Sequence, residues 1–496
     1  MRCVRLWALV IIVQLLPGSA VNAQQTQLQP GAPGDQKATT VSPLAQKILD
    51  LVASVPPELA AYAQLRLVET NAISARGRKI ELIESAFTLA QQSPYPVRKS
   101  FAYGNVDSRA GYLSYSYDLK LDTLSLQAES VRAMLQIDPE RARGLFAEMG
   151  PVKLDVLACS DVLVYSPSAY YEAAGEVFRK GFNRDEQERG MDADFLVSIL
   201  QAVSHASETN AAADLLLSLK LEPNLSARVE GAFGRALSTI SGDRRSFDQT
   251  QNVLLIDLFR LTKDPAPAHR ALLSGSRAYL VANYSGEACA DSTAAPSRVR
   301  ADGTITSSPQ EPFPELDNLF RPYGIAPIHF SDLVSSSHGD RAQNETLYWK
   351  SQPAHQFEKE EGALISPTNS KLLPEWQARA EAFLTELRGW TDTSTEPTED
   401  DFYIEKSSLY SGLLRATPVQ SPVFPDAVGD FAAFLATPPQ SDAVRVFWLS
   451  NLNFLRARMK SSDAKTVLEA ALQRTPNPSI AIWGYLDALT DAHAHT

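Results

Sequence analysis

The sequence predicts an all-α protein of stacked helical hairpins, α-solenoid-like, with an irregular Pro/Ser-rich segment between two helical blocks. Two patterns carry this prediction. Apolar residues recur at alternating steps of three and four, the repeat of one helix face. Capping residues, prolines and glycines then cut these stripes into short helices joined by brief links. The clearest case is 121–150. Leu121, Leu124, Ala128, Val131 and Leu135 form one stripe, which predicts a helix with a single buried face. Asp138 offers an N-cap, and Pro139 sits where a missing N–H costs nothing. Ala142, Leu145, Phe146 and Met149 then make a second stripe that Gly150-Pro151 ends. Such a hairpin cannot bury both stripes alone, so it needs neighbours of its own kind.

The N-terminus reads as a signal peptide over 1–23. Arg2 and Arg5 precede an apolar run from Leu6 to Leu16, and small residues follow at Ala20 and Ala23. The run is about half the ~20 residues of a membrane-spanning helix. Residues 24–42 are rich in Gln, Gly, Pro and Thr and read as a flexible leader. The expectation is export to the periplasm or the exterior, with no membrane span after cleavage. Losing Arg2 and Arg5 moves the net charge from −12 to about −14. With no dense basic cluster to offset that charge, nucleic acid is not an expected partner. Of the three cysteines, Cys3 lies in the expected signal peptide, which leaves Cys159 and Cys289. An oxidising compartment allows one disulfide between them, and two buried free thiols are the alternative. Asn224, Asn283 and Asn344 stand in N-x-S/T sequons, which would matter only in a eukaryotic source.

The first helical block is expected over 43–285. Short helices follow one another from Ser42-Pro43, the third covering about 78–92. Phe101 to Tyr117 is crowded with aromatics, and Tyr170 and Tyr171 follow Ser166-Pro167; core contact accounts for these better than an exposed groove. Helices are then expected at about 185–206, 209–220, 225–240, 246–262 and 266–284. Frequent prolines and low helix propensity make 286–373 a linker and irregular insertion. Helices resume over 374–496, with ends near 390, 415, 437, 460, 474 and 491. Ala142 and Phe146, four apart in the second helix of their hairpin, resemble the small and aromatic positions of the tetratricopeptide class. The Trp and the Leu-Gly pair of that repeat's first helix are missing, so the resemblance implies a helical repeat and no particular family.

No phosphate loop, paired CxxC, HExxH or GxSxG is present. Ser462 to Lys465 has S-x-x-K spacing, which a helix N-terminus explains equally well. Asp185 to Gly190 has the glycine of a calcium loop, but Arg189 stands at a ligand position. The acids of 392–401 read as a solvated linker. One concentration of chemistry-bearing side chains remains as a candidate catalytic set: His329, His338, Asp340 and His355, holding three of the seven histidines. Surface histidines in a loop are the simpler account of them. No cofactor or resident metal is implied. The sequence therefore points to a non-enzymatic scaffold for an unidentified protein or peptide partner. The runner-up is a secreted all-α, α/α-toroid-like enzyme acting on polysaccharide. Closure of the helices into a ring separates the two.

Overall fold

In the computed structural model the described residues are 41–93, 98–99, 120–154, 156–157, 161–162, 166–285, 297–299, 305–307, 314–333, 352–365, 374–391, 399–439, 442–458 and 462–494. The fold is all-α. The first helices are α1 (Pro43–Leu51), α2 (Pro57–Glu69), α3 (Arg76–Gln91), α4 (Thr123–Leu135) and α5 (Pro139–Met149). Next come α6 (Pro167–Lys180), α7 (Arg184–Glu188), α8 (Met191–Gln201), α9 (Thr209–Ser218), α10 (Pro223–Leu237), α11 (Arg244–Leu261) and α12 (His269–Tyr284). After α13 (Pro314–Phe320) follow α14 (Gln352–Ile365), α15 (Pro374–Gly389), α16 (Glu399–Ala416), α17 (Val423–Leu435), α18 (Asp442–Arg458), α19 (Ser462–Arg474) and α20 (Pro478–Ala494). Two short antiparallel pairs accompany them: β1 (Arg98–Lys99) with β2 (Asp161–Val162), and β3 (Ser297–Val299) with β4 (Ile305–Ser307).

Local chemistry sets most helix ends. Ser42 Oγ accepts from Ala45 N at α1, Asp122 from Ser125 N at α4, and Asp138 from Arg141 N at α5. Gly150 ends α5 at φ 64°, a backbone that favours glycine. Asn183 and Glu186 close a capping box on α7, and Gly190 at φ 74° separates α7 from α8 where the periodicity predicts one helix.

Around the 121–150 hairpin the stripes are buried as the spacing implies: Ala128 and Val131 are fully covered, and Phe146 meets Tyr170 and Phe195 with ring centroids 4.9 and 5.4 Å apart. One expectation fails. Helix α4 has no solvent face of the usual kind, because Thr123, Ser125, Gln127 and Ser130 are buried as well. It packs against α2, α3, α5 and α6 at once. Two of these side chains are satisfied locally, Ser125 Oγ donating to Asp122 at 2.6 Å and Ser130 Oγ to the Leu126 carbonyl at 2.8 Å, while Thr123 Oγ1 is buried without a partner among the described residues. Burial holds the Asp122 carboxyl up at about 6, against the pull of the donors from Ser125 and Ser166.

Within 286–373, where prolines predict an irregular segment, α14 is a regular helix. Pro353 stands in its first turn and Pro367 beyond its last, so neither breaks it. Phe357 and Leu364 enter the core, and Trp376 Nε1 donates to the Leu364 carbonyl at 3.2 Å. Helix α14 thereby packs on α15 and α16 and belongs with the C-terminal helices. Asn283 is buried, donating to the carbonyls of Ile240 and Tyr279 at 2.9 Å, so its sequon is closed to modification in the folded chain.

One apolar cluster runs from Ala45 to Leu489. In it the two ends of the chain meet: α20 packs against α1 and α2. Glu58 of α2, 4% exposed, takes a forked ion pair from Arg445 of α18, with Nε to Oε1 at 2.6 Å and Nη2 to Oε2 at 3.1 Å. All other substantial helix contacts stay within 41–333 or within 352–494. No described helix is long and apolar enough to cross a membrane.

Candidate functional site

At the seam where first and last helices meet, a cavity of about 650 Å³ opens between α2, α18, α19 and α20. Tyr62 and Arg66 come from one turn of α2, and Trp483 and Asp487 from one turn of α20. The Tyr62 and Trp483 rings touch, with centroids 5.0 Å apart at 54°. Each carries a guanidinium on its face: Arg66 lies 4.9 Å from the Tyr62 centroid and Arg456 lies 4.8 Å from that of Trp483. Arg456 is held in turn by Asp487, through Nε and Nη2 at 3.0 to 3.2 Å, and by Asn453 at 2.8 Å. Lys465, Thr490 and Asp491 complete the rim. Beneath it Trp483 Nε1 is buried without a hydrogen-bond partner among the described residues. The outcome is a rigid aromatic floor under a mixed-charge mouth, able to seat an apolar or aromatic side chain while pairing with charges around it.

Two smaller depressions lie elsewhere. A groove of about 450 Å³ runs between α14, α16 and α18, with small residues such as Ser411 and Gly412 between Phe447 and Phe454. Another of about 290 Å³ lies between α6 and α9, rimmed by Glu172, Glu176 and Asp214.

Of the candidate set from the sequence, only the His329 side chain is described, and it lines none of the three. His329 is exposed, its backbone N–H donating to Asp332 at 3.1 Å. His355 is on α14, its side chain outside what is described, and His338 and Asp340 lie outside the described residues. Cys159, Cys289, residues 1–40 and Phe101 to Tyr117 lie outside them too. Tyr170 and Tyr171 are core residues, 3% and 2% exposed.

Two other histidines find carboxylates that stand far away in sequence, which is why sequence reasoning missed them. His269 Nδ1 meets Glu230 at 2.6 Å, and Nε2 meets the Asp264 carbonyl at 2.9 Å. His205 places Nδ1 2.7 Å from Ser207 Oγ and pairs through Nε2 with Asp243. Serine, histidine and aspartate in a line are the parts of an acyl-transfer triad. Here they hold a fold. All three are buried, the His205 ring also caps the 206–208 turn, and Asp243 caps α11 while accepting from Leu157 N. Ser207 is itself buried and lines none of these three cavities. Next to it Glu208, raised by burial, accepts from Tyr171 OH at 2.8 Å and from the backbone N–H groups of Ser204 and His205.

Neither a family model, nor a curated protein, nor a solved structure matches this chain.

Proposed function

We propose that the chain is a non-enzymatic helical scaffold, acting outside the cytoplasm, that seats a protein or peptide partner in the seam cavity. The observation that carries this reading is the lining itself. Trp, Tyr and Arg are the residue types that dominate binding energy when they are packed at the centre of an interface, and here Trp483, Tyr62, Arg66 and Arg456 interlock around one opening. The disposition of the helices supports it. Apart from the seam, the substantial contacts among the described helices stay within each block, which leaves helix faces for a partner.

The runner-up, an exported all-α enzyme acting on polysaccharide, draws on the same cavity, where aromatic rings stand near Asp487 and Asp491. It has less support. Asp487 is tied to Arg456, which leaves Asp491 alone among the lining acids where glycoside hydrolysis normally uses two.

The test is a selection of binders from a random peptide display library on the whole chain, followed by Ala488→Trp. Ala488 is exposed at the cavity rim, so the indole plugs the opening without entering the core. The reading expects binding to weaken at least about tenfold, or ~1.4 kcal/mol. Binders indifferent to the plug would reject the site. Release of reducing ends from a polysaccharide, lost in Asp491→Asn, would favour the enzyme.

A further inference from the structure

Helices α16 and α18 line the groove of about 450 Å³ with the same spacing on both sides. Ser408, Ser411, Gly412 and Arg415 recur at steps of three, one and three along α16, and Phe447, Ser450, Asn451 and Phe454 repeat those steps along α18. Each set is one helix face two turns long, about 10 Å at 1.5 Å per residue. The first three positions on α16 hold nothing larger than serine, so that face cannot fill the space in front of it. On α18 the two phenylalanines stand at either end of the face with only Ser450 and Asn451 between them. The outcome is a slot with aromatic ends and a small, polar middle.

The polar groups set into the slot point to a ligand. Asn451 is 5% exposed, and its Nδ2 has no hydrogen-bond partner among the described residues. A buried amide donor left unpaired is costly, and an oxygen from a ligand would satisfy it. At the rim Arg415 is exposed, lies 5.1 Å from the Phe454 centroid and pairs with no carboxylate among the described residues. The ring holds the guanidinium in place through its face and leaves the N–H edge open to an anion. Arg458, one turn beyond Phe454, sets its guanidinium on the Leu414 carbonyl, and the charge of Arg415 adds to burial in lowering its pKa. Two cations thus stand close together, and Glu361 of α14 is the single acid in the lining.

We propose that this slot, separate from the seam cavity, binds a small aromatic monocarboxylate with a second oxygen at the far end of its ring. The ring lies between Phe447 and Phe454, the carboxylate meets Arg415, and the far oxygen accepts from Asn451. Each part of this class follows from the lining. Aromatic ends favour an aromatic ring over an aliphatic chain. One carboxylate matches the excess of two guanidiniums over Glu361, whereas a multiply charged anion would meet that acid. The volume is that of a small-molecule site rather than of a groove for a folded partner.

The experiment is calorimetric titration of the whole chain with 4-hydroxybenzoate and the one-carbon longer 4-hydroxyphenylacetate, and with 4-hydroxybenzamide, which keeps ring and far oxygen without the charge. It is run on wild type, Arg415→Met, Ser450→Trp and the seam plug Ala488→Trp. Arg415 is exposed and Ser450 half-buried at the rim, so neither change empties the core, and thermal unfolding checks that each variant is folded. Wild type is expected to bind at least one of the acids at millimolar concentration or below, and the amide at least about tenfold more weakly. Arg415→Met should lose about tenfold for the acid and leave the amide unchanged, Ser450→Trp should weaken both, and Ala488→Trp should alter neither. No binding of either acid at millimolar concentration would overturn the site. So would binding that survives Ser450→Trp or is lost in Ala488→Trp. Equal affinity for acid and amide would overturn the carboxylate.

Discussion

Gly275→Ala sets two physical terms of opposite sign against each other. Helices α10 and α12 cross with their backbones in contact at Gly234 and Gly275. An ideal Cβ on Gly275 would lie 1.8 Å from the Gly234 carbonyl oxygen, and one on Gly234 would lie 2.3 Å from the Ala271 carbonyl oxygen. Ordinary contact begins at 3.4 Å, so a single methyl must drive the helices apart by about 1.6 Å. Helix propensity alone favours alanine over glycine by up to ~1 kcal/mol. Separation costs more. A gap of even 0.5 to 1 Å forfeits about a quarter to a half of each dispersion well, and overpacking against atoms that cannot rotate away costs about 1–3 kcal/mol or more. The faces that would part hold Val229, Phe233, Ala236, Leu272 and Tyr279, all buried. A net loss of roughly 2 kcal/mol is expected, read as a lower urea midpoint by circular dichroism. Gly144→Ala is the control. Gly144 is exposed on α5 with nothing within 4 Å of its added Cβ, and should gain about 0.5–1 kcal/mol. If Gly275→Ala matched or exceeded wild-type stability, the close crossing would be wrong.

Arg445→Ala should destabilise by about 3 kcal/mol, because it strands the buried Glu58 carboxylate; Arg445→Ala with Glu58→Gln should recover much of the loss in the same urea titration, and equal losses would reject the buried pair. Asp122→Asn should flatten the pH dependence of stability between about 4 and 6. The folded carboxyl is raised to about 6 from 3.8, so the wild type loses stability as pH rises through that window, and Asn keeps the cap oxygen without the charge. A wild-type slope as shallow as the variant's would count against it. Thiol titration of the denatured, unreduced mature chain should find no free thiol from Cys159 and Cys289, and two free thiols would dismiss their bond.

Features encoded by neighbours in sequence could be read directly. Asp138-Pro139 starting α5, Gly150 ending it and the stripe from Leu124 to Leu135 each depend on contacts one or two turns away. What depended on distant partners could not. The inward polar face of α4 needs four packed helices before Ser125 or Ser130 can be told from a solvent-facing residue. Gly234 and Gly275 look like weak points of two helices until the crossing brings them together. His205 and His269 carry no local signal, since Asp243 and Glu230 stand 38 and 39 residues away. Lys465, spaced in sequence to serve Ser462 as a base, instead borders the cavity with Tyr62, some four hundred residues earlier. Helix α14 was hidden by prolines that flank it rather than break it.

The meeting of α20 with α1 also sets an order of assembly. Glu58 and the outer face of α1 and α2 are made first, and the partner Arg445 on α18 follows 387 residues later, with α20 later still. A nascent chain therefore carries a buried-type acid without its counter-ion until α18 arrives, and the seam can close only once α18 and α20 have been made. Space and sequence are out of phase by half a molecule. A circular permutant joined from 494 to 43 and opened between 333 and 352 keeps every substantial helix contact and makes the seam a local one, so it should fold faster than the natural order while reaching the same structure.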